Sequence, residues 1–559
     1  MLIAGIDMGG TNIDGVIIRN GSLHKAVKHQ VNHDDVLHSI LACLQDLLRD
    51  VDEGNLERIN LSTTVCTNAI VEDKVSQVGL ILQQGPGLQW QFDRMGDYLR
   101  YLSGSVDHRG KLVRSIDKEE LEQVRQEFSD SPIEAIAVVS KFSPRNPTVE
   151  EQVHQLFADA YEHITLGNSI SGRLNFPRRV ETSYLNAATY KTFNAFADHM
   201  RKALSEKQIT APVYILKADG GTIDLEGAAA KPVETILSGP AASCMGMRAL
   251  LSPDNSDSCL LDVGGTTTDI FFLVDGVPVF EPQGIEIDRR KTLVRAIYST
   301  SIGLGGDSHV RFVEGDLQIG PERLGNAVAF GGEEITPTDA LVYLGAMEGQ
   351  YPDKSHQALK RVAGQEGIMP GELALTIVAK MCSMIKNRIG DSLRKINSSP
   401  VYTIKELLED RIVRPGSIGI IGGPAKALAP YLEESLSLPV NCPEYFAVAN
   451  AIGAALAKPT VEINLFADTE REIMSISELG VYEKIDKNFD LAEAKRIALA
   501  KTREAGRALG LDEIQSEAEI VEAGSFNMVH GYLGADKNIR VKAQIKPGLL
   551  TRDLKSYRG

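Results

Sequence analysis

The sequence predicts an α/β protein that contains a duplicated domain and ends in a smaller α/β segment. Three observations lead to this class: a stretch that recurs about half a chain later, apolar strands that run into glycine-rich turns, and an ordinary globular composition. The chain has 559 residues, of which 43% are hydrophobic and 24% charged, so it is long enough for two large domains with substantial cores. The repeat weighs most, because self-similarity within a chain indicates a repeated structural unit.

The repeat lies at residues 6–21 and 261–276, which read IDMGGTNIDGVIIRNG and LDVGGTTTDIFFLVDG. One ungapped alignment pairs Asp7 with Asp262, Gly9 with Gly264, Gly10 with Gly265, Thr11 with Thr266 and Asp14 with Asp269. Each copy is an apolar run, a tight Gly-Gly turn and a second apolar run. This pattern predicts two β-hairpins, one at the start of each copy of the domain.

Both hairpins carry the residue types of a phosphate-binding turn. Glycines let backbone N–H groups approach an anion, and short hydroxyl and amide side chains add donors. The predicted nucleotide contacts are Gly9, Gly10, Thr11, Asn12, Gly264, Gly265, Thr266 and Thr267. Asp7 and Asp262 are predicted to hold a magnesium ion, directly or through water. A hairpin turn without a ligand is the alternative, which the retention of acid and threonine in both copies disfavours.

Two polar stretches in the first half of the chain are candidate substrate contacts. They are Thr63, Thr64, Thr67 and Asn68, after an apolar run, and Asp219, Gly220 and Gly221, after the strand-like residues 213–216. Hydroxyls and amides at a helix N-terminus can face an anion, although they can also simply cap the helix. A loop at the carboxyl end of a strand suits a ligand, but Asp-Gly is equally a favoured turn dipeptide.

Two glycine-rich turns in the second half are further candidate nucleotide contacts. They are Gly303, Gly305 and Gly306 in the first turn, and Gly422 and Gly423 in the second. The second turn lies between the strand-like residues 418–421 and a helical pattern, so its backbone could form a flat surface for a purine beside a helix N-terminus. An ordinary α/β turn is the alternative for both.

These motifs together resemble the superfamily of actin, sugar kinases and heat-shock chaperones, and within it the hydantoinase A/5-oxoprolinase family. The resemblance covers about residues 1–460 and rests on the two hairpins, LSTTVCTNAI at 61–70, KADGGT at 217–222, PVETILSGPAA at 232–242, SIGLGGDS at 301–308 and IGIIGGP at 418–424. The chain departs from the family at Ser62, where glycine is usual, and at Asp307, where a further glycine is common. The match after residue 460 is weak.

The resemblance implies duplicated actin-like ATPase domains of ribonuclease H-like fold around a nucleotide cleft. We expect the first domain, with an inserted or elaborated middle region, at 1–250, the second at 255–458, and a small α/β appendage at 460–559. The implied activity is ATP- and magnesium-dependent hydrolysis of a cyclic amide, such as a hydantoin or 5-oxoproline, through a phosphorylated intermediate. Asp14 or Asp269 could position a hydroxyl or water, although both can also be turn-stabilising acids. The family further implies a hydantoinase B-like partner subunit, and a homo-oligomer is left open.

Two other functions use the same cleft. A small-molecule kinase would need an aspartate aimed at a substrate hydroxyl, and a nucleotide-dependent switch or reactivating factor would bind a protein across the cleft. The net charge of −16 and the pI near 5.3 argue against nucleic acid or an anionic membrane as the main partner. We expect a cytoplasmic protein for three reasons. Asp7 lies too near the start of the chain for a signal peptide, the cysteines are scattered, and the sequence has no apolar run long enough for a membrane helix.

Overall fold

The computed structural model describes residues 2–9, 12–32, 35–49, 56–87, 89–92, 95–251, 256–281, 283–398, 412–530 and 534–551. The strands in these segments are β1 (Leu2–Met8), β2 (Asn12–Arg19), β3 (Ser22–Gln30), β4 (Arg58–Ser62), β5 (Val78–Gln83), β6 (Leu99–Tyr101), β7 (Ser105–Val106), β8 (Leu112–Arg114), β9 (Ala135–Ser140), β10 (Ile164–Leu166), β11 (Val213–Leu216), β12 (Thr222–Asp224), β13 (Ser258–Val263), β14 (Thr268–Val274), β15 (Val277–Pro278), β16 (Glu286–Ile287), β17 (Arg290–Lys291), β18 (Ser299–Ile302), β19 (Val310–Val313), β20 (Asp316–Ile319), β21 (Ser417–Ile421), β22 (Val440–Asn441), β23 (Val461–Asp468), β24 (Ile473–Ile476), β25 (Val481–Lys484), β26 (Glu519–His530) and β27 (Gly534–Ile545).

The α-helices of the same segments are α1 (Val36–Leu48), α2 (Val65–Val71), α3 (Lys118–Ser129), α4 (Thr148–Phe157), α5 (Gly167–Ile170), α6 (Phe176–Glu206), α7 (Leu225–Ala230), α8 (Ser238–Leu251), α9 (Pro337–Tyr343), α10 (Pro352–Glu366), α11 (Pro370–Ser398), α12 (Ala425–Leu436), α13 (Ala449–Leu456) and α14 (Leu491–Ala508). Short 3-10 helices cover Pro232–Thr235, Val328–Phe330, Phe446–Val448 and Ser477–Leu479. Strands and helices alternate through most of this length, as the α/β prediction requires.

Two sheets share one topology, which confirms the duplicated fold. The first sheet has the order β12–β11–β4–β1–β2–β3, and the second β15–β14–β13–β21–β22, with β18 also paired to β14. In each sheet a leading strand pairs antiparallel with the next strand and parallel with a later one. All seven residues of β1 are buried, as expected for a central strand covered on both faces.

A four-stranded sheet, β10–β9–β5–β6, lies between β4 and α6 in the chain, and all its neighbouring strands are parallel. Helices α3 and α4 contribute apolar side chains to its core, and α6 contributes others from the opposite side. The side chain of Asn175 caps the N-terminus of α6, where Pro177 occupies the first turn. The sheet lies within residues 1–250, where we expect an elaborated middle region of the first domain, and that assignment stays a prediction.

The C-terminal sheet has the order β25–β24–β23–β27–β26, with α14 packed on it. All its neighbouring strands are antiparallel. Asp490 caps α14 by accepting from the backbone N–H of Glu493 at 2.8 Å. The sequence therefore predicted a small α/β segment here correctly, while the exact division of the chain into domains stays a prediction.

Helices α8 and α13 cross at very short range beside the ends of β1 and β13. A Cβ atom on Gly453 would lie 2.1 Å from the carbonyl oxygen of Ala242, and one on Gly246 would lie 2.0 Å from that of Ala449. A Cβ atom on Gly5 of β1 would lie 2.5 Å from the carbonyl oxygen of Ala451. Glycine is required at these points because the backbones themselves are in contact. Helix α13 therefore packs directly on β1 as well as on α8.

Among the described helices, none is by itself long and apolar enough to cross a membrane. Helices α10 and α11 meet the criterion of length and composition only when taken together, and a bend of 95° separates them. All six cysteines are free thiols, and five of them are buried.

Candidate active site

The leading aspartates of the two hairpins lie close together at the carboxyl ends of β1 and β13. Asp7 is 5% exposed, and Asp262 accepts a hydrogen bond from the Ser243 hydroxyl at 2.6 Å. Asn450, in the first turn of α13, hydrogen-bonds through its side chain to both aspartates. The structure therefore brings together the two residues that were predicted to hold magnesium, and one amide connects them.

The protein environment disfavours negative charge on both aspartates. Burial is the main reason that the pKa of Asp7 rises to about 7; hydrogen bonds from Ser62 and Asn450 lower it, and the charges of Asp14 and Asp262 raise it. Burial likewise raises the pKa of Asp262. A cation beside such acids strongly stabilises their charged form, because it replaces the favourable interaction with water that burial removes.

The two turns are closed by the same backbone hydrogen bond. The N–H of Gly9 donates to the carbonyl of Asn12 at 3.0 Å, and the N–H of Gly264 donates to that of Thr267 at 2.9 Å. Strand register is also shared, with Asp7 opposite Asp14 and Asp262 opposite Asp269. The hairpin predictions are therefore confirmed in both copies. Gly10 and Thr11, which were predicted to contact phosphate, lie outside the described residues.

The loop at 303–308 lies directly on the second turn. Gly306 donates its N–H to the carbonyl of Gly264 at 2.9 Å, and Asp307 donates to that of Gly265 at 2.7 Å. A Cβ atom on Gly305 would lie 2.5 Å from the carbonyl oxygen of Gly264, so only glycine allows this contact. Gly303 lies slightly farther away, against Pro321. The loop and the hairpin thus form one glycine-rich surface, and contact between this surface and a nucleotide stays a prediction.

The turn at Gly422 and Gly423 also lies beside the second hairpin. Gly422 has a φ of +103°, and a Cβ atom on it would lie 2.1 Å from the carbonyl oxygen of Val263. Gly423 is exposed, and a Cβ atom there would meet nothing within 4 Å. Thr266 and Thr267 are exposed as well. An open backbone surface therefore adjoins the second hairpin, which is the arrangement expected for a purine contact.

The second aspartates of the two hairpins differ in their neighbours. Asp14 forms an ion pair with Lys28 at 3.0 Å, whereas Asp269 lies opposite Ser301 and is hydrogen-bonded to it. Burial raises the pKa of Asp269 to about 6, Ser301 lowers it, and the charge of Asp262 raises it. Of these two candidates, Asp269 has the environment of a proton acceptor or donor near neutral pH.

The threonine stretch forms the predicted junction between a strand end and a helix N-terminus, at β4 and α2. The backbone N–H of Thr63 donates to the Ser238 hydroxyl at 3.2 Å, and Thr67 accepts from the N–H of Leu237 at 3.1 Å. Thr64 is the N-cap residue of α2 but makes no capping hydrogen bond, and it accepts one from the Asn68 amide at 3.2 Å. Thr63 and Thr67 therefore tie α2 to the start of α8, and substrate contact by this stretch stays a prediction.

Asp219, Gly220 and Gly221 form the tight turn between β11 and β12, which is the simpler of the two interpretations. The Asp219 carboxylate accepts from the N–H of Gly221 at 2.9 Å and from the Thr460 hydroxyl at 3.3 Å. A Cβ atom on Gly221 would lie 2.2 Å from Thr460, and one on Gly220 would lie 3.0 Å from Ile297. Because this turn is enclosed by neighbouring segments, a substrate role for it also stays a prediction.

Three residues of the site were not predicted from the sequence. They are Asn450 and Ser243, which hydrogen-bond the leading aspartates, and Arg323, which donates to the Thr266 hydroxyl at 3.2 Å. Asn450 and Arg323 come from segments remote in sequence from the hairpins they touch, whereas Ser243 lies only 19 residues before Asp262. A cavity of about 400 Å³ beside the second turn was also not predicted, and it is lined by Asp307, His309, Leu324, Gly325, Asn326, Gly331, Gly332, Glu333, Glu334 and Thr336.

Two family models match this chain: hydantoinase/oxoprolinase over residues 179–463, and the hydantoinase/oxoprolinase N-terminal region over residues 3–160. The chain is 24% identical over 389 residues to the acetophenone carboxylase gamma subunit of Aromatoleum aromaticum, covering 61% of this chain and 52% of that relative. It is 24% identical over 376 residues to the caprolactamase subunit alpha of Pseudomonas jessenii, covering 61% and 54%. The chain thus spans about half the length of these curated relatives.

Solved structures agree on the fold. Nucleotide-free acetone carboxylase superposes with a TM-score of 0.68 at 16% identity, covering 99% of this chain and 89% of that chain. The ATP-dependent caprolactamase of Pseudomonas jessenii gives a TM-score of 0.70 at 18% identity, covering 97% and 87%. Together with the two family models, these similarities show that the chain belongs to the hydantoinase/oxoprolinase family.

Proposed function

We propose that this chain binds ATP between its two hairpins and uses it to activate a cyclic amide for hydrolysis. The observation that carries the proposal is the pair of in-register hairpins, whose leading aspartates, Asp7 and Asp262, lie close together and share Asn450. Glycine-rich backbone from two further segments adjoins the second hairpin. Relatives named caprolactamase and 5-oxoprolinase support the choice of a cyclic amide.

The residues fit a magnesium ion bound together with nucleotide phosphates. The Oδ1 atom of Asp7 is buried and has no hydrogen-bond partner within the described segments, which leaves a carboxylate oxygen available as a ligand. These segments contain no group of three or more side chains suited to holding a metal. Two carboxylates suffice for magnesium, which usually keeps water and phosphate oxygens as its other ligands. When bound, the ion would neutralise charge on the phosphates.

The proposed reaction has three steps. First, the amide oxygen attacks the terminal phosphorus of ATP, and the bond from that phosphorus to the bridging oxygen breaks to release ADP. In the second step water adds to the activated carbon, and the ring C–N bond breaks with transfer of a proton to nitrogen to leave an acyl phosphate. A further water then hydrolyses the acyl phosphate to the carboxylic acid and phosphate. The turns at Gly9 and Gly264 would hold the phosphates in line with the amide oxygen. Asp269 would take the proton of the attacking water, which its position and its raised pKa favour.

A partner subunit belongs to this proposal. The two curated relatives are described as subunits, and this chain spans about half of their length. We therefore propose that the chain carries the ATP-dependent step and the base Asp269, and that a hydantoinase B-like subunit supplies the remaining groups that complete ring opening. Under this arrangement the isolated chain would hydrolyse ATP slowly or only in the presence of substrate.

ATP-dependent carboxylation is a second candidate, because one relative is an acetophenone carboxylase subunit. A ketone enolate presents an oxygen nucleophile like that of an amide, so the same cleft could transfer phosphate to it. The difference lies in the second step, where carbon dioxide or bicarbonate would replace water. A simple kinase would stop after the first step and release a stable phosphorylated product.

The test is ATP hydrolysis and product analysis with magnesium and a panel of hydantoins, 5-oxoproline, other lactams and aryl ketones. We expect one lactam to stimulate ADP release at least about tenfold, a barrier change of about 1.4 kcal/mol. Asp269→Asn should abolish the stimulation, and Asp198→Asn should keep it because Asp198 is exposed on α6. Stimulation by ketones only, or release of a stable phosphorylated product, would contradict the hydrolase proposal.

A further inference from the structure

The guanidinium group of Arg323 lies at the edge of the second phosphate turn and is held by four acceptors. Its Nη1 donates to the Thr266 hydroxyl at 3.2 Å, and its Nε donates to the carbonyl of Gly325 at 3.1 Å. Its Nη2 donates to the Asn326 side chain at 3.0 Å and forms an ion pair with the Asp307 carboxylate at 2.8 Å. With 30% of its side chain exposed, this cation is fixed in place and still accessible.

The carboxylate of Asp307 lies on the turn itself. A Cβ atom on Gly265 would lie 2.6 Å from Oδ2 of Asp307, so the acid covers the glycine whose backbone was predicted to contact phosphate. A phosphate group at this turn and the Asp307 carboxylate would both be acceptors for the guanidinium group of Arg323. The position is also one where the resemblance leads one to expect glycine. Asp307 and Arg323 therefore form an ion pair at a position where glycine would require no cation.

The pair also lies at the boundary of the cavity of about 400 Å³, because Asp307 and Asn326 both line that cavity. Arg323 contacts these two residues on one side and Thr266 on the other. A nucleotide with its phosphates at the second turn would therefore have them beside the guanidinium group.

We infer that Arg323 contacts the terminal phosphate of ATP, and that Asp307 competes with this phosphate for the same guanidinium group. The inference rests on the proposed function, because it assumes that ATP is the ligand of the cleft. An arginine suits this role because its planar fork binds phosphate through two parallel hydrogen bonds and keeps its charge at every physiological pH. The phosphate carries more negative charge than the carboxylate. Bound ATP therefore displaces Asp307 from the guanidinium group, and this displacement lowers the affinity for ATP.

Equilibrium binding of ATP and ADP to the full chain with magnesium tests the role of Arg323. We expect Arg323→Ala to weaken ATP binding about tenfold or more, and ADP binding much less, because only ATP carries the terminal phosphate. Arg311→Ala is the matched control. Arg311 precedes Arg323 closely in the chain, has a similarly exposed side chain and pairs with Glu322. This control should bind both nucleotides like the wild type.

A double-mutant cycle tests the competition. We expect Asp307→Asn to strengthen ATP binding about threefold or more in the wild type and to have no such effect when Arg323 is alanine. Equal strengthening in both backgrounds would mean that Asp307 acts by simple repulsion, and it would overturn the competition.

Folding is checked by thermal unfolding of each variant. If Arg323→Ala lowers the melting temperature but the folded fraction binds ATP like the control, Arg323 only anchors its loop and the inference is wrong. If the wild type binds neither nucleotide, the proposed function fails together with the inference. The two failures are therefore distinguishable, because only the second involves the wild type.

Discussion

At the scale of single residues, the site is built from acids that the fold holds in unfavourable surroundings. Asp7 is almost completely buried and lies near two other carboxylates. Asp14 forms an ion pair with Lys28, whereas Asp269 is hydrogen-bonded to Ser301 and lies near the charge of Asp262. Buried acids of this kind destabilise the free protein and strengthen the binding of a cation, which is typical of functional sites.

The raised pKa of Asp7 makes stability depend on pH. Its pKa is about 7 in the folded chain against an ordinary value of 3.8, so the folded state binds the proton more tightly than the unfolded state. Its contribution to stability is therefore fully present below about pH 4 and is lost as the pH rises to about 7. For Asp7→Asn without magnesium or nucleotide, we expect greater stability than the wild type at pH 8, by at most about 4 kcal/mol.

The measurement is chemical denaturation of both proteins from pH 5 to pH 8. The stability difference should shrink as the pH falls, because Asp7 becomes protonated in the folded wild type. Asp198→Asn, at an exposed position, should show no comparable trend. A difference between Asp7→Asn and the wild type that stays constant over this range would show that the pKa of Asp7 is not raised.

At the scale of elements, the crossing helices α8 and α13 contact both hairpins. Ser243 on α8 and Asn450 on α13 both hydrogen-bond the leading aspartates, so the helices carry site residues as well as packing. Gly246 and Gly453 let the helix backbones touch. A change in helix separation would therefore alter the site and the core together.

Gly453→Ala tests this coupling. The added Cβ atom would lie 2.1 Å from the carbonyl oxygen of Ala242 and 2.5 Å from the N–H nitrogen of Gly246. Because both are backbone atoms, the helices must separate, and we expect a loss of about 2 kcal/mol or more in the free energy of unfolding. The control is Gly364→Ala in α10, where a Cβ atom meets nothing within 4 Å.

Alanine has the higher helix propensity, so the control should be neutral or stabilised by up to about 1 kcal/mol. Thermal unfolding of the two variants against the wild type decides the question. Equal stability of Gly453→Ala and Gly364→Ala would refute the close crossing.

At the scale of the whole molecule, the sequence predicted what local patterns determine. The two hairpins were predictable because short stretches of sequence determine strand alternation, Gly-Gly turns and register. The repeat indicated that the two hairpins are equivalent. The turn at Gly422 was predictable for the same reason. Asn450 and Arg323 were not, because their roles arise only when remote elements pack against the hairpins. The threonines at 63 and 67 show the converse, since packing against α8 occupies groups that the sequence left free for a ligand.

Calorimetric binding of magnesium–ATP tests whether the two hairpins hold ATP jointly. The proteins to compare are the wild type, Asp7→Asn, Asp262→Asn and the exposed control Asp198→Asn. We predict that the wild type and the control bind equally, and that each site variant loses about tenfold or more in affinity. Equal binding by all four proteins, or a loss in only one of the two site variants, would contradict a site shared between the hairpins.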